Sequence, residues 1–285
     1  MNGLVIEGGG RRGIFAAGVL DCLMENDIKF EYVSGVSSGA QAALDFVSGQ
    51  IKRTKDVIIP ADEGWTGVGF KKMFACDIDK IAYEYPYNQL PFDFDAFFGS
   101  GIHTEVVVTD CTTGDPEYIC VENDEKLLLD ALKASCSLPI IYQPVKIGEK
   151  EYIDGSIADA IPFERAMEYG CSRVLVVLSK PVTESATDYS RYKYVLKRLF
   201  GKYPELLEKL SNRLERYNAQ AKRLEDAAAD GKVMVLRPDE TYVGSFEMNT
   251  EKLNNTYDIG YLSAQNKLDD IKAFLNISGT SSPNP

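Results

Sequence analysis

The sequence predicts an α/β fold with a mostly parallel central sheet and helices on both faces. Strand-like and helix-like segments alternate along the chain, which is typical of this class. Residues 173–178 form a continuous apolar run, the kind that parallel sheets bury on both faces. Of the 285 residues, 45% are hydrophobic and 26% charged, as in a globular protein with a real core. We therefore expect a single domain over residues 1–277 and a tail over 278–285.

The first half of the chain holds short apolar runs bounded by glycines or turns, each followed by a segment with helical spacing. The predicted strands here are 3–7, 32–36, 104–109 and 117–121, and the predicted helices are 13–26, 38–47 and 124–134. Between them, residues 51–100 are aromatic and contain Gly and Pro without a clear period. We interpret this stretch as an irregular insertion and a candidate cover over a pocket.

The second half continues the alternation and ends in helices. Pro162 stands in the first turn of one predicted helix and Gly170 stops it, as helix boundaries prefer. The predicted strands here are 151–153, 173–178 and 233–236, and the predicted helices are 161–169, 203–229 and 250–275. Residues 200–277 are thus expected to form a mainly helical C-terminal part of the same domain.

The net negative charge of the chain makes some classes of binding partner unfavourable. A net charge of −12, with a sequence pI near 4.7, repels phosphate backbones, so we expect no nucleic acid partner. The same charge argues against steady adhesion to an anionic membrane. Transient contact with lipid through an apolar patch stays open.

The N-terminus and the cysteines indicate a cytoplasmic protein. The start of the chain lacks the basic region, apolar stretch and cleavage site of a signal peptide, and no run of about 18 apolar residues follows. The six cysteines are scattered and form no C-x-x-C pair, which favours reduced thiols. They are Cys22, Cys76, Cys111, Cys120, Cys136 and Cys171.

A glycine motif, Gly8-Gly9-Gly10-Arg11-Arg12-Gly13, lies between the first predicted strand and the first predicted helix. Its G-x-G-x-x-G pattern is weakly specific, because any loop that brings backbone N–H groups to an anion can use it. One interpretation is a dinucleotide site and hence a nucleotide-binding oxidoreductase. That site requires an acidic residue at the end of the second strand, whereas Glu31 precedes the strand.

A second motif, Gly35-Val36-Ser37-Ser38-Gly39, follows the second predicted strand and opens a helix. The order strand, G-x-S-x-G, helix is the context of a nucleophile elbow, a sharp turn that exposes the serine oxygen. Gly35 and Gly39 leave room where a Cβ would clash, and the helix dipole favours negative charge there. Ser37 is therefore the candidate nucleophile. An ordinary Gly-Ser-Ser-Gly turn is the alternative.

The histidine count bears on the base that such a serine needs. The chain has one histidine, His103, which opens a predicted strand. Ser-His-Asp hydrolases of this type supply their histidine after the last strands, so we expect His103 to be structural and the base to be a carboxylate. Asp154, in Asp154-Gly155-Ser156, is the first candidate, and Asp110 and Asp159 are the next. An ordinary Asp-Gly turn is the alternative.

Taken in order, these segments resemble the three blocks of the patatin-like phospholipases: the glycine motif, the G-x-S-x-G motif and Asp154-Gly155-Ser156. The segment Ala134-Ser135-Cys136-Ser137-Leu138-Pro139 resembles the one that this family carries before its aspartate. Thr109-Asp110-Cys111-Thr112-Thr113-Gly114 is typical of its bacterial members. Each motif is weakly specific, but four in register across residues 3–178 strongly indicate the family.

The resemblance implies a set of site residues. Ser37 would attack an ester carbonyl, and Asp154 would take its proton without a histidine. Arg12 would be structural. The family's third block usually ends in glycine or alanine, so Ser156 is a departure from the pattern, although its side chain is small. The oxyanion hole would consist of the backbone N–H groups of Gly9, Gly10 and Arg11.

The implied function is hydrolysis of carboxylic esters of lipids through an acyl-enzyme, with phospholipids, lysophospholipids or simple acyl esters as substrates. Burial would have to raise the pKa of Asp154 above its ordinary value of about 3.9. No cofactor is expected, and no histidine cluster, thiolate pair or calcium loop suggests a metal. The alternative within the family is a non-catalytic lipid-binding relative. The sequence indicates no oligomeric state.

Overall fold

A computed structural model describes residues 1–59 and 77–277 and shows an eight-stranded mixed sheet with helices packed against it. The strands are β1 Asn2–Ile6, β2 Tyr32–Val36, β3 His103–Asp110, β4 Pro116–Cys120, β5 Val145–Ile147, β6 Lys150–Asp154, β7 Arg173–Val177 and β8 Val233–Leu236. The described helices are α1 Ile14–Glu25, α2 Ser38–Val47, α3 Arg53–Ile58, α4 Phe94–Gly99, α5 Glu125–Ser135, α6 Phe163–Tyr169, α7 Lys193–Phe200, α8 Pro204–Ser211, α9 Arg213–Ala229, α10 Thr250–Asn266 and α11 Leu268–Phe274.

The sheet is parallel through its centre and antiparallel at one edge. Its order is β5-β6-β3-β2-β1-β7-β8, and β4 pairs separately with β3. β3, β2, β1, β7 and β8 run parallel, whereas β4, β5 and β6 run antiparallel to their neighbours. The predicted α/β class and mostly parallel sheet are therefore confirmed. The carboxyl ends of the parallel strands share one edge, where this class of sheet places its sites.

Helices cover both faces of the sheet, because successive apolar side chains of β1 point to opposite faces and all of them are buried. Leu4 and Ile6 point into one buried cluster, shared with residues of α1, α2, α5 and α10. Val5 points the other way, into a cluster with α6 and α9. Among the described residues, no helix combines the length and the apolar character needed to cross a membrane.

The C-terminal helices pack directly on the first helix. A Cβ on Gly18 of α1 would lie 2.1 Å from the carbonyl oxygen of Tyr257, and a Cβ on Gly260 would lie 2.1 Å from that of Phe15. The backbones of α1 and α10 touch at these two positions, which only glycine permits. The helical part at 200–277 thus shares its core with the sheet.

Several predicted elements are wrong in detail. The helix expected at 203–229 is two helices, because Asn212 leaves helical geometry at φ −99° and ψ 9°. The helix expected at 250–275 breaks likewise at Lys267.

The segment 51–100 is less irregular than expected in its described parts, since it contains α3 and α4. Strand β5 and helix α7 lie where no element was expected, because they are short and carry exposed polar residues. Residues 60–76 and the expected tail at 278–285 lie outside the described residues.

Candidate active site

Ser37 lies between β2 and α2 with the backbone geometry of a nucleophile elbow. Its φ of 56° and ψ of −125° are strained for a residue with a Cβ, and such strain is found at functional sites. The turn is so tight that a Cβ on Gly35 would lie 2.2 Å from the carbonyl oxygen of Gly39. Both glycines are therefore required by close backbone approach. Ser37 immediately precedes α2 and is buried, with 7% of its surface exposed.

Ser135 holds the elbow from α5. The backbone N–H of Ser37 donates to Oγ of Ser135 at 2.8 Å, and that hydroxyl donates to the carbonyl of Val107 at 2.7 Å. Ser135 is fully buried, so this bridge between α5, β3 and the elbow is shielded from water. The fourth segment of the family pattern thus has a physical role, which is to fix the strained turn.

Asp154 ends β6 and is held by backbone bonds on both sides. It pairs with Val108 of β3 in antiparallel register, and its N–H donates to the carbonyl of Ser137 at 3.1 Å. Its Oδ1 accepts a hydrogen bond from the N–H of Ser156 at 2.9 Å. Gly155 follows in a turn where a Cβ would lie 2.2 Å from the carbonyl oxygen of Val107. The position and direction of the carboxylate are therefore fixed.

The environment of Asp154 favours a stronger base than an ordinary aspartate. Asp154 is fully buried, and this burial raises the pKa of its carboxyl, although hydrogen bonds from Ser156 and Ser37 and the charge of Arg213 lower it in part. The Ser37 hydroxyl therefore lies near the carboxylate. Oδ2 of Asp154 still has no well-aligned hydrogen-bond partner among the described residues.

The glycine motif passes directly over the elbow. A Cβ on Gly8 would lie 2.8 Å from Cβ of Ser37, and one on Gly13 would lie 2.8 Å from Oγ of Ser38. The N–H of Gly9 donates to Oγ of Ser38 at 3.0 Å. The structure therefore brings the first two sequence motifs together around the two adjacent serines.

The three predicted oxyanion donors differ in their present partners. The N–H of Gly9 is bound to Ser38, and that of Arg11 donates to the carbonyl of Ser245 at 3.0 Å. Gly10 adopts a φ of +59°, and its N–H has no backbone acceptor among the described residues. The N–H of Ser38, in the first turn of α2, also lacks an intrahelical acceptor. The N–H groups of Gly10 and Ser38 are thus not engaged by another backbone group, and the sequence had not pointed to Ser38.

The loop after β8 packs on the glycine motif. A Cβ on Gly10 would lie 2.7 Å from the carbonyl oxygen of Ser245, and Nη1 of Arg11 donates to the carbonyl of Glu247 at 2.7 Å. Since this loop belongs to the C-terminal part of the chain, that part contributes directly to the shape of the glycine loop.

A buried ion pair between Glu7 and Lys180 lies next to the glycine motif. Glu7, at the end of β1, accepts from the N–H of Ser179 at 2.9 Å and from the Tyr217 hydroxyl at 2.8 Å, and lies 3.0 Å from Nζ of Lys180. Burial raises the pKa of Glu7, but the charge of Lys180 and these hydrogen bonds outweigh it and hold the pKa below its ordinary value. Oγ of Ser179 donates to the carbonyl of Gly8 at 2.8 Å, which links this network to the glycine motif.

His103 lies at the opposite end of β3 from the site. It begins the strand, five residues before Val108, the partner of Asp154, and a strand rises about 3.3 Å per residue. Its Nε2 lies 3.1 Å from Oε1 of Glu105, and its ring stacks on Tyr169 at 4.2 Å. These contacts give the histidine a structural role.

We therefore expect His103→Gln to retain ester hydrolysis within about tenfold, a change of under about 1.4 kcal/mol in the barrier. Glutamine keeps a polar group near Glu105 while removing the only imidazole of the chain. Steady-state kinetics on a soluble ester, with circular dichroism as the folding control, measure this. A loss of several orders of magnitude in a folded variant would restore a histidine-based triad.

The two other candidate bases are engaged elsewhere. Asp110 accepts from the N–H of Thr112 at 2.6 Å and lies 3.4 Å from Nζ of Lys150. Asp159 accepts from Nε2 of Gln220 at 2.6 Å and from the Tyr118 hydroxyl at 2.8 Å. Both carboxylates thus carry structural hydrogen bonds, and Asp154 is the one beside Ser37.

Arg213 is a site residue that the sequence did not indicate. Its Nε donates to the carbonyl of Ser156 at 3.0 Å, and its Nη2 donates to Oγ of the same serine at 3.2 Å. The arginine itself is buried. Ser156 is the residue whose N–H donates to Oδ1 of Asp154, so Arg213 fixes the turn that holds this carboxylate. Ser156, which departs from the family pattern, therefore accepts hydrogen bonds from a residue of the C-terminal part.

We expect Arg213→Met to lower turnover by about 10- to 100-fold, because it frees the turn that aims the carboxylate. Its positive charge lowers the pKa of Asp154, so its loss should also move the acid limb of the kcat/KM profile to higher pH. Arg213→Lys keeps the charge and is expected to leave that limb nearly in place. Equal profiles for the two variants would show that the guanidinium is merely structural.

A polar cavity of about 430 Å³ lies behind the Asp154–Ser156 turn, between β4, α6 and α9. Charged side chains, among them Glu164, Arg165 and Arg216, contribute much of its wall. Such a wall is unsuited to an acyl chain. No group of three or more His, Cys, Asp or Glu residues that could hold a metal occurs in the described parts of the chain.

Comparison with family models gives two matches. The model of the patatin-like phospholipases matches residues 4–167, which include Ser37, Asp154 and the glycine motif. A domain of unknown function (DUF6363) matches residues 203–276, the helical C-terminal part. The second match includes Arg213, Ser245 and Glu247, which contact the aspartate turn and the glycine loop.

Similar proteins cover only part of the chain. The uncharacterized protein YjjU of Escherichia coli (strain K12) is 32% identical over 189 residues, 62% of this chain and 52% of its own length. An uncharacterized NTE family protein of Mycobacterium tuberculosis (strain CDC 1551 / Oshkosh) is 28% identical over 166 residues, 56% of this chain and 27% of its own. The matches thus span about half or less of these relatives.

Among solved structures, VipD from Legionella pneumophila is similar, with a TM-score of 0.54 over 94% of this chain and 67% of that one. Its sequence identity is 15%, so this likeness shows a shared fold.

Proposed function

The chain belongs to the patatin-like phospholipase family, a family of lipid hydrolases, and from this premise we propose that it is a serine acyl hydrolase using Ser37 and Asp154. The observation that carries the proposal is the buried carboxylate of Asp154 beside the strained Ser37. The substrates are carboxylic esters of lipids: phospholipids, lysophospholipids or simple acyl esters.

In the acylation step, Oγ of Ser37 attacks the ester carbonyl while its proton passes to Oδ2 of Asp154. The N–H groups of Gly10 and Ser38, with that of Gly9 or Arg11 once released from its present acceptor, bind the oxyanion. Each such donor contributes on the order of 3–4 kcal/mol. The tetrahedral intermediate then collapses, the alkoxide leaves with the proton from Asp154, and an acyl-Ser37 ester remains.

In the deacylation step, a water molecule attacks the acyl-Ser37 carbonyl and gives a proton to Asp154. The second tetrahedral intermediate releases the carboxylic acid, and the proton returns to Oγ of Ser37. The aspartate thus acts as base and then as acid in each half of the cycle, which a carboxyl with a raised pKa does better than an ordinary one.

Two alternative functions, a nucleotide-binding oxidoreductase and a non-catalytic lipid-binding protein, make different predictions. The family match includes the glycine motif, and that loop lies against Ser37, so an oxidoreductase with a dinucleotide on residues 8–13 is disfavoured. A lipid-binding relative without activity would keep the fold and lose the reaction.

Turnover of a panel of p-nitrophenyl esters and phospholipids by the purified protein tests the proposal, with Ser37→Ala as the matched control. We expect ester cleavage that the control abolishes, and no binding when the protein is titrated with NAD or NADP. Absence of turnover on every ester, in a protein that still binds lipid, would favour the non-catalytic relative.

A further inference from the structure

The surface around α7 is basic, although the chain as a whole is strongly acidic. The net charge is −12, yet residues 189–203 contain five basic residues and no Asp or Glu. All five are exposed: Arg191, Lys193, Lys197, Arg198 and Lys202. The average charge of the chain therefore hides a local patch of the opposite sign.

The inner face of α7 fixes this patch to the wall of the candidate active site. Leu196 and Phe200, one helical turn apart, are each 2% exposed and pack in a buried cluster with Ile153 and Ile157. These two isoleucines stand on either side of Asp154 in the chain. The patch is thus anchored next to the segment that carries the proposed base.

The outer face of α7 presents apolar side chains among the basic ones. Tyr194 is 81% exposed, and Val195 and Leu199 are 45% and 41% exposed. Tyr192, which immediately precedes the helix in the chain, is 49% exposed as well. Burying these side chains against a partner would remove apolar surface from water, which is favourable.

Three of the five basic side chains are unpaired. Arg191 pairs with Asp188 and Lys202 with Glu151, at 3.3 and 2.9 Å. The remaining three form no ion pair with any described residue; they are Lys193, Lys197 and Arg198. Their charges are free to meet an external anion.

We propose that this patch, which consists of the exposed apolar residues 192, 194, 195 and 199 and the five basic residues, docks the protein on an anionic lipid bilayer. An interfacial helix inserts Tyr, Val and Leu at the headgroup level while Lys and Arg meet anionic lipid heads. The acidic remainder of the protein is repelled by the same membrane, so the patch is oriented toward it. A second copy of the chain is a poorer occupant, because a two-fold contact would oppose like charges.

The proposal bears on how the proposed hydrolase meets its substrate, but it is tested independently of catalysis. Sedimentation with vesicles is measured in a Ser37→Ala background, so that lipid is not consumed. One set of vesicles is phosphatidylcholine alone, and the other is an equal mixture of phosphatidylcholine and phosphatidylglycerol. We expect binding to the mixed vesicles, weakening with added salt, and little binding to the neutral ones.

The decisive variant is Lys193→Gln with Lys197→Gln and Arg198→Gln. Each basic side chain near an anionic surface contributes about 5-fold (about 1 kcal/mol), so the triple change should weaken binding about 100-fold. Tyr194→Ser with Leu199→Ser should weaken it as well. The matched control is Lys29→Gln with Lys222→Gln and Lys267→Gln, which removes the same charge from exposed positions elsewhere and should leave binding nearly unchanged.

Equal binding to both kinds of vesicle, no binding, or equal losses in the patch and control variants would each overturn the proposal. So would a dimer that the patch variant dissociates, since the occupant would then be a second copy. With Ser37 intact, the patch variants should cleave a soluble short-chain ester at the wild-type rate. Vesicle binding without any ester cleavage would contradict the proposed function and leave the docking surface standing.

Discussion

Ser37→Ala is expected to reduce ester hydrolysis by at least about 10⁴-fold while leaving the fold intact. The substitution removes the attacking oxygen and its interaction with Asp154, whereas the backbone N–H that Ser135 holds is retained. Alanine has a Cβ like serine, so the strain of the positive φ is unchanged. Turnover measured with the thermal midpoint separates lost chemistry from lost stability.

The adjacent serine provides the matched control. Ser38→Ala removes the acceptor of the Gly9 N–H and should cost at most about tenfold in turnover, the scale of one hydrogen bond. The freed N–H would even become available to the oxyanion. If Ser38→Ala abolishes hydrolysis and Ser37→Ala does not, the nucleophile has been misplaced by one residue.

Asp154→Asn is expected to lower turnover about as far as Ser37→Ala, by about 10⁴-fold, because the amide keeps the shape and cannot take a proton. Residues that act as one unit fail together, so the double variant should be little worse than either single one. Multiplicative losses in the double variant would mean that the two side chains act independently.

The same substitution should not destabilise the fold. Burial raises the pKa of Asp154, so the folded protein holds its carboxyl proton more tightly than the unfolded chain does. Above that raised pKa, the buried charge lowers the free energy of unfolding, and this penalty is lost as pH falls from the raised pKa to the pKa of the unfolded chain. A neutral asparagine is therefore expected to give an equal or higher thermal midpoint at neutral pH. A structural Asp-Gly turn predicts a lower one.

The raised pKa also sets the acid limb of activity. The proposed base works only when deprotonated, so kcat/KM should rise with pH through the raised pKa of Asp154, above the range of an ordinary aspartate. No second limb from an imidazole is expected, since His103 lies at the far end of β3.

The features that could be predicted from the sequence are those encoded in short, continuous stretches of the chain. The elbow at Ser37 is encoded in five consecutive residues, because the turn needs glycines at fixed offsets from the serine. The strands at 173–178 and 233–236 were predictable because continuous or alternating apolar runs decide burial directly. Asp154 lies far from Ser37 in the sequence, so spacing alone could not link the two residues. The order of the motifs indicated Asp154 through the family resemblance.

Contacts between distant segments account for what the sequence missed. Ser135 meets the N–H of Ser37 across 98 residues, and Arg213 meets Ser156 across 57. The segment around Ser135 was noticed only through the family resemblance, without a role for its serine, and nothing nearby in the chain marks Arg213. The helix breaks at Asn212 and Lys267 were also missed, because helical periodicity continues through both positions.

Covalent labelling of Ser37 by a fluorophosphonate tests the central claim most directly, because only an activated serine reacts quickly. The rate is followed in the wild type and in Asp154→Asn, and mass spectrometry locates the modified residue. We expect rapid labelling confined to Ser37 and a sharp fall in rate in the folded Asp154→Asn protein. Brisk labelling of that variant, or labelling at another serine, would contradict the Ser37–Asp154 dyad.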